Sequence, residues 1–269
     1  MDVLHPEVST IHQYPFRVHE LVVDILGKPT DWLWVVKQVG EDFEKLANHV
    51  YRLGRKEEKK IVCPVPIHGA EITSSKNLEV LKVSKGQAAL YRGRKADGAE
   101  ILLGEVFALA SADCPSVAIH DPQSKLTLVC HFSRQSGLEG GILEKALSHF
   151  DETSRINLVA TVSLGIDPEN FHHSWEDPTY GTENKKLIQK LARIFGPNAV
   201  SKDPSQGGIN LRYIAIEKLI RGGLREGNIY TDTIDTFSDP AYWSHRASNT
   251  DSSNKFGDQG RNLVLVANL

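Results

Sequence analysis

Cysteine is scarce in this chain: Cys63, Cys114 and Cys130 are the only three among 269 residues. Three is an odd number and too few for a disulfide framework, so a reducing, cytoplasmic setting is expected. Basic surplus is missing as well. The formal net charge is −3, without an acidic tract, which argues against nucleic acid as a partner. No apolar run approaches the roughly 18 residues of a membrane span. The opening MDVLHPEVSTIHQYPF lacks a basic start followed by an apolar stretch, so a signal peptide is not expected and no membrane partner is implied. Repeats and low-complexity linkers are absent too. What remains is ordinary globular composition, 40% hydrophobic and 24% charged, enough to build a sizeable core.

Residues 17–55 read as helical, since RVHELVVDILG and DWLWVVKQVGEDFEKLANHVYRL repeat apolar residues every three to four positions. The charged RKEEKK that follows reads as a solvated helix end. IVCPVPIHGAEI predicts an extended segment at a sheet edge, because Pro64 and Pro66 exclude a helix. EVLKV, AALYRG, EVFALASADC, PSVAIHDP and KLTLVCHF predict short strands. The last two flank Asp121 to Lys125, which is turn chemistry, and predict a hairpin. GGILEKALSHF, NKKLIQKLARIF and LRYIAIEKLIRGGL predict helices, the second stopped by Gly196-Pro197 and the third by Gly222-Gly223. INLVATVSLGI and NLVLVANL predict strands. This mixed order predicts an α+β fold, a single mixed-sheet domain with flanking helices. It spans 1–269, with 1–59 a divergent helical part and 60–269 the core.

In the hairpin, a turn centred on Gln123 pairs residue 115 with His131 and places Cys114 one step from that position. Ligands at one hairpin end suit one metal ion, since facing Cβ atoms lie roughly 4.5–5.5 Å apart. Taken alone, each residue also has a plain structural reading. Cys114 reads as a small buried hydrophobe, His131 as a hydrogen-bonded core histidine and His68 as a loop histidine. Cys130 alternates with His131 and reads as structural. His172-His173 ahead of Trp175 reads as a polar surface loop with general acid–base capacity.

The stretch from Lys95 to Leu147 resembles the core of the family earlier described as multicopper polyphenol oxidases of laccase type. Its members are now described as purine nucleoside phosphorylases with adenosine deaminase activity, and some bacterial ones as peptidoglycan editing factors. The family's ADC motif falls on Ala112-Asp113-Cys114 and its Val-His-Gly on Ile67-His68-Gly69. Gly165-Ile166-Asp167-Pro168 matches Gly-Ile-Gly-Pro, Tyr242 to Arg246 matches Phe-Phe-Ser-Tyr-Arg, and Gly260-Arg261 matches a later Gly-Arg. The resemblance covers residues 60–269. The fold it implies is the laccase-domain fold, which is similar to that of a toxin deamidase of cysteine-hydrolase type.

That resemblance implies zinc held by His68, Cys114 and His131, with the same three residues at the catalytic centre. Three protein ligands leave the open fourth position of a catalytic zinc site. It implies purine nucleosides and phosphate as ligands, for which Arg134, Ser244, Arg246 and Arg261 are the matching or nearby residues; the planar arginine fork suits phosphate. The sequence also departs from the pattern. His-Ala-Gly-Trp-Arg-Gly is here His131-Phe132-Ser133-Arg134-Gln135-Ser136-Gly137, one residue longer and without the Trp. The family's Cys-Thr is Asp235-Thr236, and Asp167 replaces a glycine. Its N-terminal Ser-x-Arg-x-Gly-Gly segment has no counterpart. The metal triad is kept while part of the substrate pocket is rebuilt, so phosphorolysis is expected to suffer more than zinc binding. Two alternatives stay open, a Cys114–His131 hydrolase or deamidase and a non-catalytic nucleoside-binding homologue.

Overall fold

The structure is a computed structural model and describes residues 16–18, 21–26, 46–48, 50, 59–83, 88–250 and 260–269. Its strands are β1 Phe16–Val18, β2 Leu21–Leu26, β3 Lys59–Val62, β4 Ile72–Ser74, β5 Glu79–Val83, β6 Ala88–Arg92, β7 Gly98–Ile101, β8 Glu105–Ser111, β9 Ser116–His120, β10 Thr127–His131, β11 Val159–Val162, β12 Ile229–Thr231 and β13 Asn262–Asn268. The helices used below are α1 Ile142–Leu147, α2 Gly181–Phe195, α3 Leu211–Arg221 and α4 His245–Thr250. The fold class is α+β as expected, but the sheet is divided in two. A seven-stranded sheet runs β1-β2-β13-β8-β3-β6-β5 and a six-stranded one β12-β11-β9-β10-β7-β4, both mixed.

Strand alternation sorts the side chains into layers. Phe107 and Leu109 of β8 and Val264 and Val266 of β13 meet Ala99, Ile101, Ala118 and Val129 of the other sheet, filling the space between the two. The opposite parity, Val106, Ala108, Leu263 and Leu265, packs with Leu46, Ala47 and Val50 on the outer face of the large sheet. On the small sheet, Val117, Ile119, Leu128 and Cys130 turn instead towards α1, α2 and α3. No described helix is long and apolar enough to cross a membrane.

The helix expected over 17–55 fails at its start. Residues 16–18 and 21–26 are antiparallel strands, and β2 runs along β13 from Leu21↔Asn268 to Leu26↔Leu263. LVVDIL is buried from Leu21 to Ile25. Such a continuous apolar, β-branched run has no diagnostic period, and a distant partner strand decides its state. Residues 46–48 and 50 are helical; the rest of that stretch lies outside the described residues. IVCPVPIHG was expected at an edge, yet β3 lies inside the large sheet, parallel to β6 and β8 on its two sides. The prolines fall just beyond it. Val65, between them, makes both available backbone bonds, donating to Arg94 and accepting from Ala96.

Candidate functional site

The hairpin β9–β10 forms with a register one residue away from expectation. His131 faces Ser116, and His120 faces Thr127. Cys114 therefore leaves the strand and sits in the turn after β8, where the Ser111 hydroxyl donates to its carbonyl at 2.9 Å. Asp113 takes a left-handed conformation there, φ 75°. Such backbone is uncommon outside glycine and tends to mark functional turns. The turn is clamped by Gly165, whose added Cβ would lie 2.9 Å from the Asp113 carbonyl, and Ile166 N–H donates to that carbonyl at 2.9 Å.

One carboxylate organises the other side. Asp97, buried ahead of β7, accepts from the Nδ1 of His131 at 3.1 Å and from the N–H of His68 at 3.0 Å through one oxygen. Its other oxygen accepts from Ile67 N–H at 3.0 Å and Gly69 N–H at 2.8 Å. These bonds hold His68 at φ 58°, a second left-handed non-glycine residue. The His68 and His131 rings lie 5.3 Å apart, tilted by 57°. The Cys114 side chain lies close enough to the His131 ring to favour its protonated form. Because Nδ1 of that ring is engaged by Asp97, its Nε2 is the nitrogen left for the thiol.

Charge follows from this packing. Burial opposes protonation of His131, but the hydrogen bonds to Asp97 and Cys114 outweigh it and push its pKa up to about 9. Burial works against the charged Asp97, yet bonds from His131, Gly69 and Ile67 hold its carboxyl below the usual range. For exposed His68, packing on its inner side, then His131 and Arg261, pull the pKa down against Asp97.

A second group adjoins the first. Arg134 Nη1 lies 3.4 Å from Nδ1 of His173, whose ring meets Phe171 edge-on at 4.8 Å. The Arg246 guanidinium stacks 5.2 Å over the Phe171 ring. Arg246 N–H donates to the Asp113 carboxylate at 2.9 Å, which also accepts from the Thr236 hydroxyl at 2.8 Å. The ADC turn thus anchors the arginine of the late motif. Ser244 is buried and acts as a helix cap, its hydroxyl accepting from Ala247 N–H at 3.1 Å. Burial, then Arg134 and Arg246, bring the pKa of His173 down to about 3, so the ring is neutral.

The segment with one extra residue folds as a π-helical turn, Arg134–Glu139, in which Gly140 N–H donates to the Gln135 carbonyl at 2.7 Å. Wider π turns absorb a single inserted residue. Ser133 and Ser136 cap the turn reciprocally, and Gly137 leaves room for the buried Phe132 ring, which its Cβ would approach to 2.5 Å.

The family model of the multi-copper polyphenol oxidoreductase laccases matches residues 33–267. The chain belongs to that family. Solved structures of similar fold include YlmD from Geobacillus stearothermophilus, 20% identical with a TM-score of 0.62, covering 96% of this chain and 94% of that one. A Neisseria meningitidis protein is 17% identical at TM-score 0.64, covering 95% and 96%. The hypothetical protein YfiH of Bacillus licheniformis is 16% identical at 0.60, covering 92% of each. None of the curated protein sequences matches it.

Within this laccase-family chain, His68, Cys114 and His131 are neighbours, although 63 sequence positions separate the first and last. Among the described residues, no three His, Cys, Asp or Glu side chains stand arranged to hold a metal ion as they are. The donor chemistry nevertheless suits zinc. Two imidazoles on one tetrahedral zinc place their ring centres about 5 Å apart, given Zn–N of about 2.0–2.1 Å, close to the 5.3 Å here. Asp97, which the sequence reading missed, holds His131 as outer carboxylates hold metal-binding histidines. His172 is exposed as expected of a surface loop, whereas His173 is turned inward. The departures at Asp167 and Asp235 are structural. Asp167 pairs with Arg212, which also donates to the Asp232 and Ile234 carbonyls, and Asp235 accepts from the N–H groups of Asp167 and Phe237.

Proposed function

We propose that the chain is a zinc-dependent purine nucleoside phosphorylase with adenosine deaminase activity, its metal ligands being His68, Cys114 and His131. The observation that carries this is the Asp97 knot. One buried carboxylate fixes Nδ1 of His131 and the backbone of His68, so the two rings lie side by side next to the Cys114 thiol. Bound there, zinc supplies a Lewis acid and an activated water. Asp97 holds the His131 tautomer. Arg134 and Arg246 place positive charge at His173 for an anionic co-substrate, Arg246 being tied through its N–H to Asp113 next to Cys114, and Arg261 adds charge at His68. Ser244 positions Arg246 by capping its helix. The altered segment keeps Arg134 against His173 and weakens, rather than removes, phosphate handling.

The test is to incubate zinc-loaded protein with adenosine, inosine and methylthioadenosine, with and without phosphate, and to separate free base from inosine. Phosphate-dependent free base and phosphate-independent inosine from adenosine are expected. Release of neither product from any of the three removes the proposed activity.

One observation favours a second reading. Asp97, His131 and Cys114 form a line of orienting acid, base and thiol, the order of a cysteine hydrolase or deamidase. His68 has no role in that line. Copper oxidation, the activity in the family's name, fits poorly: a multicopper centre uses His-x-His pairs, and none of the 11 histidines forms one.

A further inference from the structure

The ring of His173 carries an unmet demand. Its Nδ1 faces Arg134 Nη1 at 3.4 Å. A guanidinium only donates, so Nδ1 is the acceptor and the proton sits on Nε2. That Nε2 is buried with no hydrogen-bond partner. A buried donor without an acceptor is costly and calls for explanation. The missing partner is therefore an acceptor, and the neighbours say of which charge. Arg134 lies on one side and Arg246 is near enough for its charge to act on the ring. Phe171 braces the group, touching His173 with its edge and carrying Arg246 on its face. Glu139, exposed and 3.7 Å from Nε of Arg134, offsets part of one charge and leaves the group cationic.

We propose that Arg134, His173 and Arg246 form a pocket for inorganic phosphate, with Nε2–H of His173 donating to a phosphate oxygen between the two guanidiniums. The identity of the anion rests on the phosphorolytic reading above; the demand for an anionic acceptor rests on the geometry alone. Before an anion arrives, burial and the two arginines hold the ring neutral, so it offers one directional N–H while the arginines supply charge. It is a binding residue that sets where the anion lies.

The test is calorimetric titration of inorganic phosphate into the full-length protein. Wild type is expected to bind saturably. His173→Phe, which keeps the ring packing and loses the donor, should bind about tenfold or more weakly, and His173→Gln, which restores an N–H near the same place, should recover most of the loss. Zinc content should be equal in all three. Should the variants fold poorly, the Nε2–H proton resonance of wild-type His173 is expected to shift on adding phosphate. No saturable binding by wild type, equal affinity in His173→Phe, or an unmoved resonance overturns the proposal. Phosphate binding without base release from nucleosides would sink the proposed activity and leave the pocket standing. Phosphate-dependent base release untouched by His173→Phe would do the reverse.

Discussion

The Asp97 knot and the arginine group differ in how they are held. At the knot, a buried carboxylate satisfies three backbone N–H groups and one imidazole, so the side chains are fixed by the chain's own course. The arginine group is held by stacking on Phe171, one 3.4 Å contact and a half-exposed ion pair. The first resembles a rigid seat for a metal and the second an adjustable cradle for an anion. Preorganisation belongs where the reacting geometry is set; long cationic side chains tolerate rebuilding of the turn that carries them.

The largest effect that would sharpen this contrast is at Asp97. Asp97→Ala leaves four donors without their acceptor and is expected to cost about 3 kcal/mol of stability and most of the zinc. Denaturant unfolding and metal analysis read the two losses. A variant as stable and as zinc-rich as wild type would mean the knot is not a knot.

The two histidines should respond to pH in opposite senses. His131 has a raised pKa, about 9 against an ordinary 6.5. In metal-free protein its contribution is complete below about pH 6.5 and is lost as pH rises through about 9, up to about 3 kcal/mol. The folded pKa of His173 is depressed to about 3. Its neutral form is favoured in the fold, so stability falls as pH drops from about 6.5 towards 3. Unfolding measured across pH should lose its alkaline limb in His131→Gln and part of its acid limb in His173→Gln. Unchanged limbs would erase the electrostatic half of the contrast.

Gly137→Ala is expected to cost about 1–3 kcal/mol, because the new methyl meets the Phe132 ring. It should disturb Arg134 more than zinc content. The smallest stability change belongs to Arg134→Ala, about 0.5 kcal/mol, since its ion pair with Glu139 is half-exposed. Zinc should be retained while phosphorolysis falls about a hundredfold, the cost of a misplaced reactant. Brisk phosphate-dependent base release by Arg134→Ala would show that the altered segment takes no part in phosphate binding.

The sequence showed the short strands and the hairpin well, because alternation and Asp121-Pro122 are local signals. It misread 17–26 because a run such as LVVDIL carries no period, and its partner strand lies at the other end of the chain. The divided sheet was hidden for the same reason: β8 and β9 adjoin in sequence and lie in different sheets. That His68, Cys114 and His131 come together was legible through motif resemblance. Asp97 was not, since an Asp ahead of Gly98 looks like turn chemistry. Nothing local distinguished His173 from His172; contacts with Phe171, Arg134 and the Gly207 backbone turned one inward. The extra residue at 132–136 was visible, but its absorption into a π turn was not.

Everything proposed for this site turns on whether His68, Cys114 and His131 hold zinc. Metal analysis of the purified protein, run beside iodoacetamide labelling of Cys114, tests it most directly. About one zinc per chain is expected, with Cys114 protected from alkylation and both properties lost in His68→Ala, Cys114→Ala or His131→Ala, read for the cysteine variant as zinc alone. A metal-free protein whose Cys114 is rapidly alkylated, with His68→Ala indistinguishable from wild type, would contradict it and favour the thiol hydrolase.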